Sequence, residues 1–133
     1  MAGLDNRRAE AAAALATLDE AVGRSGRSLL ERDGAILRLI YTFEAMWKAS
    51  QHLLAEREGV ATASPNSTIR AGRRLGWLSD EDARAALQLG NDRNPSVHMY
   101  RGEIGAEIAE RLVAHAALLR RWLKALQRRA AAE

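Results

Sequence analysis

Apolar residues recur every three or four positions along most of the 133-residue chain, and no stretch alternates apolar and polar residues as a half-buried strand does. This period predicts helices over residues 4–22, 28–58, 65–75, 79–93 and 102–129. The chain length suits a single domain over residues 1–133. We therefore expect an all-α protein built from about five helices.

Short polar residues and a proline mark where these helices should begin. We expect Asp5 or Asn6 to cap the first helix, because their side chains accept hydrogen bonds from free N–H groups. Ser64 followed by Pro65 predicts a cap with proline at the first helical position. Ser79 is expected to cap the fourth helix.

The second predicted helix is apolar on more than one face. Its main stripe contains Ile36, Leu39, Phe43, Met46 or Trp47, Ser50 and Leu54. The neighbouring stripe is mixed and contains Asp33, Leu37, Ile40, Glu44, Trp47, Lys48 and Gln51. A helix with two such faces is often buried on two sides. We predict that this helix contacts the bundle core on one side and a second subunit on the other.

The amino-acid composition limits the kinds of ligand and partner that we expect. The chain has no cysteine, and its three histidines are far apart in sequence, so we expect neither a metal site nor a cofactor. The net charge of +3 is compatible with a nucleic-acid partner without requiring one. No apolar run approaches the roughly 20 residues that span a bilayer, and an apolar signal core is absent at the N-terminus. We expect a soluble cytoplasmic protein with no membrane partner.

One stretch, residues 91–100, interrupts the helical pattern. Pro95 disfavours helix at the residue before it, which predicts a turn between the last two helices. Arg93 offers a permanent positive charge for a phosphate, and His98 can exchange a proton near neutral pH. With the hydroxyl of Tyr100, the pattern reads Arg-x4-His-x-Tyr.

Three segments of the sequence together resemble one family. They are Arg32-Asp33 through Trp47-Lys48, Ser64-Pro65 through Leu75, and Asp92-Arg93-Asn94 through His98 and Tyr100. In this order and spacing they are similar to the nucleotidyltransferase substrate-binding branch of the HEPN proteins. The resemblance covers nearly the whole chain after Leu30.

This resemblance implies an antiparallel HEPN-like helical bundle that forms a homodimer. It also implies a metal-independent ribonuclease toxin that cleaves an RNA substrate with Arg93 and His98. The implied partner is a minimal nucleotidyltransferase antitoxin, encoded nearby, which silences the toxin by adding AMP to Tyr100. Asn94 and Ser96 would support this site, while Asp33 and Glu44 would orient Arg93 or His98.

The sequence departs from the family pattern at several positions, and other functions stay open. Pro95 and Val97 stand where more polar residues are common, and Arg101 follows the tyrosine where an acid is common. One alternative is a non-catalytic partner that presents a substrate to the transferase. Another is a helical dimer without a site, in which Arg93 pairs with Asp33 or Glu44.

Other candidate residues have structural interpretations. His115 lies on an apolar stripe of the last helix, which indicates a core histidine with a hydrogen-bond partner. We interpret the three tryptophans as core anchors. The cluster Arg70, Arg73 and Arg74 has two interpretations, contact with RNA or a solvated face, and we favour the solvated face.

Overall fold

The computed structural model describes residues 2–24, 28–92 and 107–131, and only the backbone of residues 2–5. Within these ranges the helices are α1 (Ala2–Val22), α2 (Leu29–Glu58), α3 (Pro65–Arg74), α4 (Asp80–Asp92) and α5 (Leu112–Ala131). Residues 107–110 are also helical, and a turn at Arg111 separates them from α5. No strand occurs in the described ranges, so the predicted all-α class is confirmed.

Most of the predicted caps are present. Ser28 and Ser64 each accept a hydrogen bond from a backbone N–H three residues further on, and Pro65 occupies the first turn of α3. Ser79 likewise accepts a hydrogen bond from the backbone N–H of Asp82 at 3.0 Å. The prediction for α1 was wrong, because this helix begins at Ala2 and residues 5 and 6 lie inside it. The alanine-rich sequence that follows favours helix, and the helix extends through Gly3 and Leu4 ahead of both candidate caps.

The contacts between side chains give the direction of each helix. Arg24 pairs with Glu31, and Arg38 donates to the carbonyl of Thr17, so α1 and α2 run antiparallel. Along α4 and α5, Asp82 pairs with Arg121 whereas Asp92 pairs with Arg111, so these helices are also antiparallel. Helices α1, α2 and α5 contact one another, and α3 and α4 pack beside them. The predicted antiparallel bundle is therefore confirmed.

Helix α2 contributes its buried stripe to the core, between α1 and α5. The predicted main stripe of α2 is buried, with Met46 and not Trp47 as its central member. Phe43 meets Trp122 edge to face, with ring centroids 6.1 Å apart. The indole N–H of Trp122 donates to the Ser50 hydroxyl at 2.8 Å, and Ser50 donates to the Met46 carbonyl. Ser50, the polar member of the stripe, thus provides the hydrogen-bond acceptor for the indole N–H of the buried Trp122.

Candidate functional site

The predicted site falls largely outside the described residues. Arg93, Asn94, Ser96, His98 and Tyr100 all belong to the range 93–106, so their roles remain predictions. The structure does describe Asp92, which ends α4 directly before Arg93, and the two acids Asp33 and Glu44 on α2. The structure therefore describes the residues that surround the predicted catalytic segment, which we call the framework of the site.

Asp92 is the centre of a buried polar cluster that joins α4 to α5. Its side chain is only 6% exposed. Arg111 binds the carboxylate in a fork, with Nε 2.8 Å from Oδ2 and Nη2 2.7 Å from Oδ1. The Nε2 atom of His115 lies 2.7 Å from Oδ2, and Gln88 donates to Oδ1 at 3.2 Å. Both carboxylate oxygens are therefore fully engaged.

The charges of this cluster follow from its surroundings. Burial works to raise the pKa of Asp92, but the hydrogen bonds from Arg111 and His115 outweigh it and lower that pKa. Burial lowers the pKa of His115, and the nearby Asp92 carboxylate only partly opposes this effect. The lowered pKa favours the uncharged form of His115. Because the Asp92 carboxylate can only accept, the proton of neutral His115 is on Nε2.

Asp92 and Arg111 form an ion pair across the contact between α4 and α5. Arg111 Nη2 lies 2.7 Å from Asp92 Oδ1, so the guanidinium neutralises the charge of the buried carboxylate.

The cluster holds the two ends of the predicted catalytic segment together. Asp92 lies one residue before the range 93–106, and Arg111 follows that range after one helical turn. The two residues are 19 positions apart in sequence but directly bonded. The chain segment that follows Asp92 therefore starts from a residue fixed at the α4–α5 contact.

The two acids of α2 have partners of their own. The Oε2 atom of Glu44 accepts a hydrogen bond from the Trp47 indole at 3.0 Å. Asp33 lies 3.7 Å from Arg32, and its buried Oδ1 atom has no hydrogen-bond partner among the described residues. The acids share a face of α2, but eleven residues correspond to about 16 Å of helix. A single arginine can therefore pair with one of them and not with both.

Other predicted residues have the expected surroundings. His115 is buried and bonded to Asp92, which confirms its interpretation as a core histidine with a partner. Trp77 and Trp122 are buried, and Trp47 packs partly buried against the core. Across the described ranges, no group of three or more His, Cys, Asp or Glu residues is arranged to hold a metal ion. None of the described helices combines the length and apolar character needed to cross a membrane.

Comparison with known proteins places this framework in a family. The chain matches the family described as nucleotidyltransferase substrate binding protein like over residues 6–128. A protein from Thermus thermophilus, known from its crystal structure, is 46% identical with a TM-score of 0.83, over 87% of this chain and 98% of that one. No curated protein matches the sequence.

Two more distant structures share the fold. One is the tri-AMPylated HEPN toxin of Shewanella oneidensis in complex with MNT antitoxin, at 14% identity and a TM-score of 0.77, covering 94% of this chain and 96% of that one. The other is a mutant of the toxin–antitoxin pair MntA–HpeT, at 12% identity and a TM-score of 0.73, covering 94% and 97% respectively. At these identities the likeness concerns the fold alone.

The helical bundle is thus a HEPN-type fold. Within that class, the chain belongs to the family of nucleotidyltransferase substrate binding-like proteins.

The buried cluster predicts how stability depends on pH. The pKa of His115 is lower in the folded chain than its ordinary value of 6.5, so the unfolded chain binds more protons below about pH 6.5. Stability should therefore fall as the pH drops below 6.5, by at most about 1.4 kcal/mol per pH unit for this one group. The lowered pKa of Asp92 adds a second loss only below its ordinary value of 3.8.

Urea unfolding measured from pH 7.5 to pH 3 tests this expectation. The variant His115→Gln keeps an N–H donor for Asp92 but cannot be protonated, so its stability should stay flat where the parent chain declines. An equal decline in both proteins between pH 6.5 and pH 4.5 would contradict the assignment to His115.

Proposed function

We propose that this protein is a HEPN-type ribonuclease toxin that cleaves RNA without a metal ion. The observation that carries the proposal is the anchored end of α4: Asp92 is fixed by Arg111 and His115, and the sequence continues directly into Arg93. Family membership and a shared fold with a HEPN toxin support it.

The proposed reaction needs a base, an acid and a cation. A base removes the proton from the ribose 2′-hydroxyl, whose oxygen attacks phosphorus, and an acid protonates the departing 5′-oxygen. His98 has the right proton affinity for these transfers, and Arg93 carries a fixed charge to stabilise the crowded phosphate. One subunit supplies one histidine, so two subunits related by a two-fold axis would provide both the base and the acid.

A surface suited to such a dimer is present on α2. Leu37 is 41% exposed and Tyr41 is 59% exposed, on the face neighbouring the core stripe. Ile40 lies beside them, partly buried against the core. Of the predicted second face of α2, Leu37 and Lys48 are exposed and the other members are partly buried, so part of this face is available for a homodimer contact.

The family's description favours a second candidate function. Its proteins are described as nucleotidyltransferase substrate binding protein like, which suits a non-catalytic partner that presents a substrate to the transferase. Such a partner would bind the transferase and would leave RNA intact.

Cleavage of RNA separates the two functions. We expect the purified protein to cut tRNA or mRNA in the presence of EDTA. His98→Ala and Arg93→Ala should each lower the rate by about 10²–10⁴-fold, as loss of an acid–base or charge-stabilising group does. Tyr100→Phe should retain cleavage, because the proton transfers are assigned to His98. Intact RNA after incubation with the parent protein would favour the substrate-presenting function.

Transfer of AMP to Tyr100 would silence the site. The tyrosine oxygen would bond to the α-phosphorus of ATP, and pyrophosphate would leave. The attached AMP would occupy the phosphate position served by Arg93 and repel the RNA backbone.

After treatment with a minimal nucleotidyltransferase and ATP, mass spectrometry should find the added AMP on Tyr100. His98→Ala should still be modified, and Tyr100→Phe should escape silencing. Modification mapped to another residue would exclude this mechanism.

The homodimer has its own test. Leu37→Glu places a charge on the exposed face of α2 and should convert a dimer to a monomer in light scattering at micromolar concentration. Val113→Glu is the matched control, because Val113 is an apolar α5 residue that is 66% exposed. A monomeric parent protein, or loss of the dimer in the control alone, would show that α2 does not form the contact.

A further inference from the structure

A cleft opens between α3 and α4 on a surface not used by the proposed chemistry. Its volume is about 290 Å³. Its apolar lining comes from the partly exposed Leu87 together with Ile69 and Ala83, which are buried, and arginines of both helices surround this lining. The volume is close to the lower end of the range for small-molecule pockets, which suits one flat nucleotide base better than a duplex.

The arginines around the cleft differ in whether an acidic side chain pairs with them. Arg73 is paired with Asp80, with Nε 2.8 Å from Oδ1. Arg70 and Arg84 are exposed and have neither an ion pair nor a hydrogen bond within the described part of the chain. The cleft therefore carries excess positive charge, and two guanidinium forks from different helices remain available to a ligand.

The backbone between α3 and α4 fixes the relative position of these side chains. Gly76 adopts a left-handed conformation with φ of 77°, which a residue with a side chain would reach only with strain. The N–H of Trp77 then donates to the Gly72 carbonyl at 2.8 Å, and Arg129 of α5 donates to the Gly76 carbonyl at 3.2 Å. The cleft is thus part of the fold, and its two walls are held together.

The cleft also lies on the same helix as the anchored end of the proposed site. Arg84 precedes Asp92 by eight residues, which corresponds to about 12 Å along α4. A single strand bound at the cleft could therefore continue along α4 towards Arg93. This distance matters only if Arg93 acts on RNA.

We propose that the α3–α4 cleft is an accessory binding site for single-stranded RNA. Arg70 and Arg84 bind successive phosphates, and an unpaired base packs against Leu87 and the guanidinium planes beside it. Single-stranded nucleic-acid sites in general combine a cationic groove with side chains on which bases stack, and arginine planes are among the groups that stack on bases. The inference deepens the proposed ribonuclease function and rests on it for the identity of the ligand.

Binding of a short fluorescent single-stranded RNA tests the cleft. Measurements use the full-length His98→Ala protein in EDTA, so that the RNA stays intact. Adding Arg70→Gln and Arg84→Gln together should weaken binding about tenfold. It should also reduce the slope of log K against log salt by about 1.4, since each lost single-strand contact removes about 0.7.

Arg74→Gln is the matched control. Arg74 ends α3, is exposed and loses the same charge, but it does not line the cleft. It should leave affinity and salt slope close to those of the parent. Equal effects of Arg74→Gln and of either cleft substitution would overturn the proposal, because they would indicate a general charge effect. Unchanged RNA affinity with weakened binding to the transferase would also overturn it, since the cleft would then bind a protein.

The outcomes distinguish this inference from the proposed function. If the parent protein cleaves RNA and the cleft variants bind and cleave equally well, the cleft proposal fails and the ribonuclease stands. If the cleft variants lose RNA binding while the parent never cleaves RNA, the cleft stands and the ribonuclease fails.

Discussion

The proposed site depends on the hydrogen bonds that the Asp92 carboxylate forms with Arg111 and His115. The carboxylate is buried, it accepts two hydrogen bonds from Arg111, and it lies 2.7 Å from His115. A buried carboxylate without such partners would be strongly unfavourable, so the contact between α4 and α5 and the charge of Asp92 require each other. Arg111 is 38% exposed, so water would solvate part of its charge if the carboxylate were lost.

Helical periodicity in the sequence predicted the elements and their buried faces. Ile36, Leu39 and Phe43 lie in the core because an amphipathic helix removes its apolar stripe from water by packing that stripe against the other helices. The cap at Ser64 was equally predictable, since it depends on residues three positions apart. The start of α1 was not, because helix propensity extended the helix past both candidate caps.

The framework of the site could be predicted only in part, because its contacts connect distant positions. A partner for His115 was expected, but nothing in the sequence identified Asp92, which lies 23 residues away on another helix. The cleft between α3 and α4 depends likewise on the turn at Gly76, which brings Arg70 and Arg84 to one surface. The sequence favoured a solvated face for the α3 arginines over a contact with RNA, and it did not connect Arg84 of α4 with them.

The residues of the family-like signature divide into two kinds. Asp92 has no free oxygen with which to bind a substrate, so its contribution is to position the chain that follows it. Arg93 and His98, which we propose for the chemistry, are distinct from it in that they need to remain accessible to a phosphate. A signature of this kind combines an anchor with reactive groups, because a catalytic arginine acts only if its backbone is held in place. The ion pair between Asp92 and Arg111 supplies that anchor here, and it consists of side chains other than those assigned to the reaction with RNA.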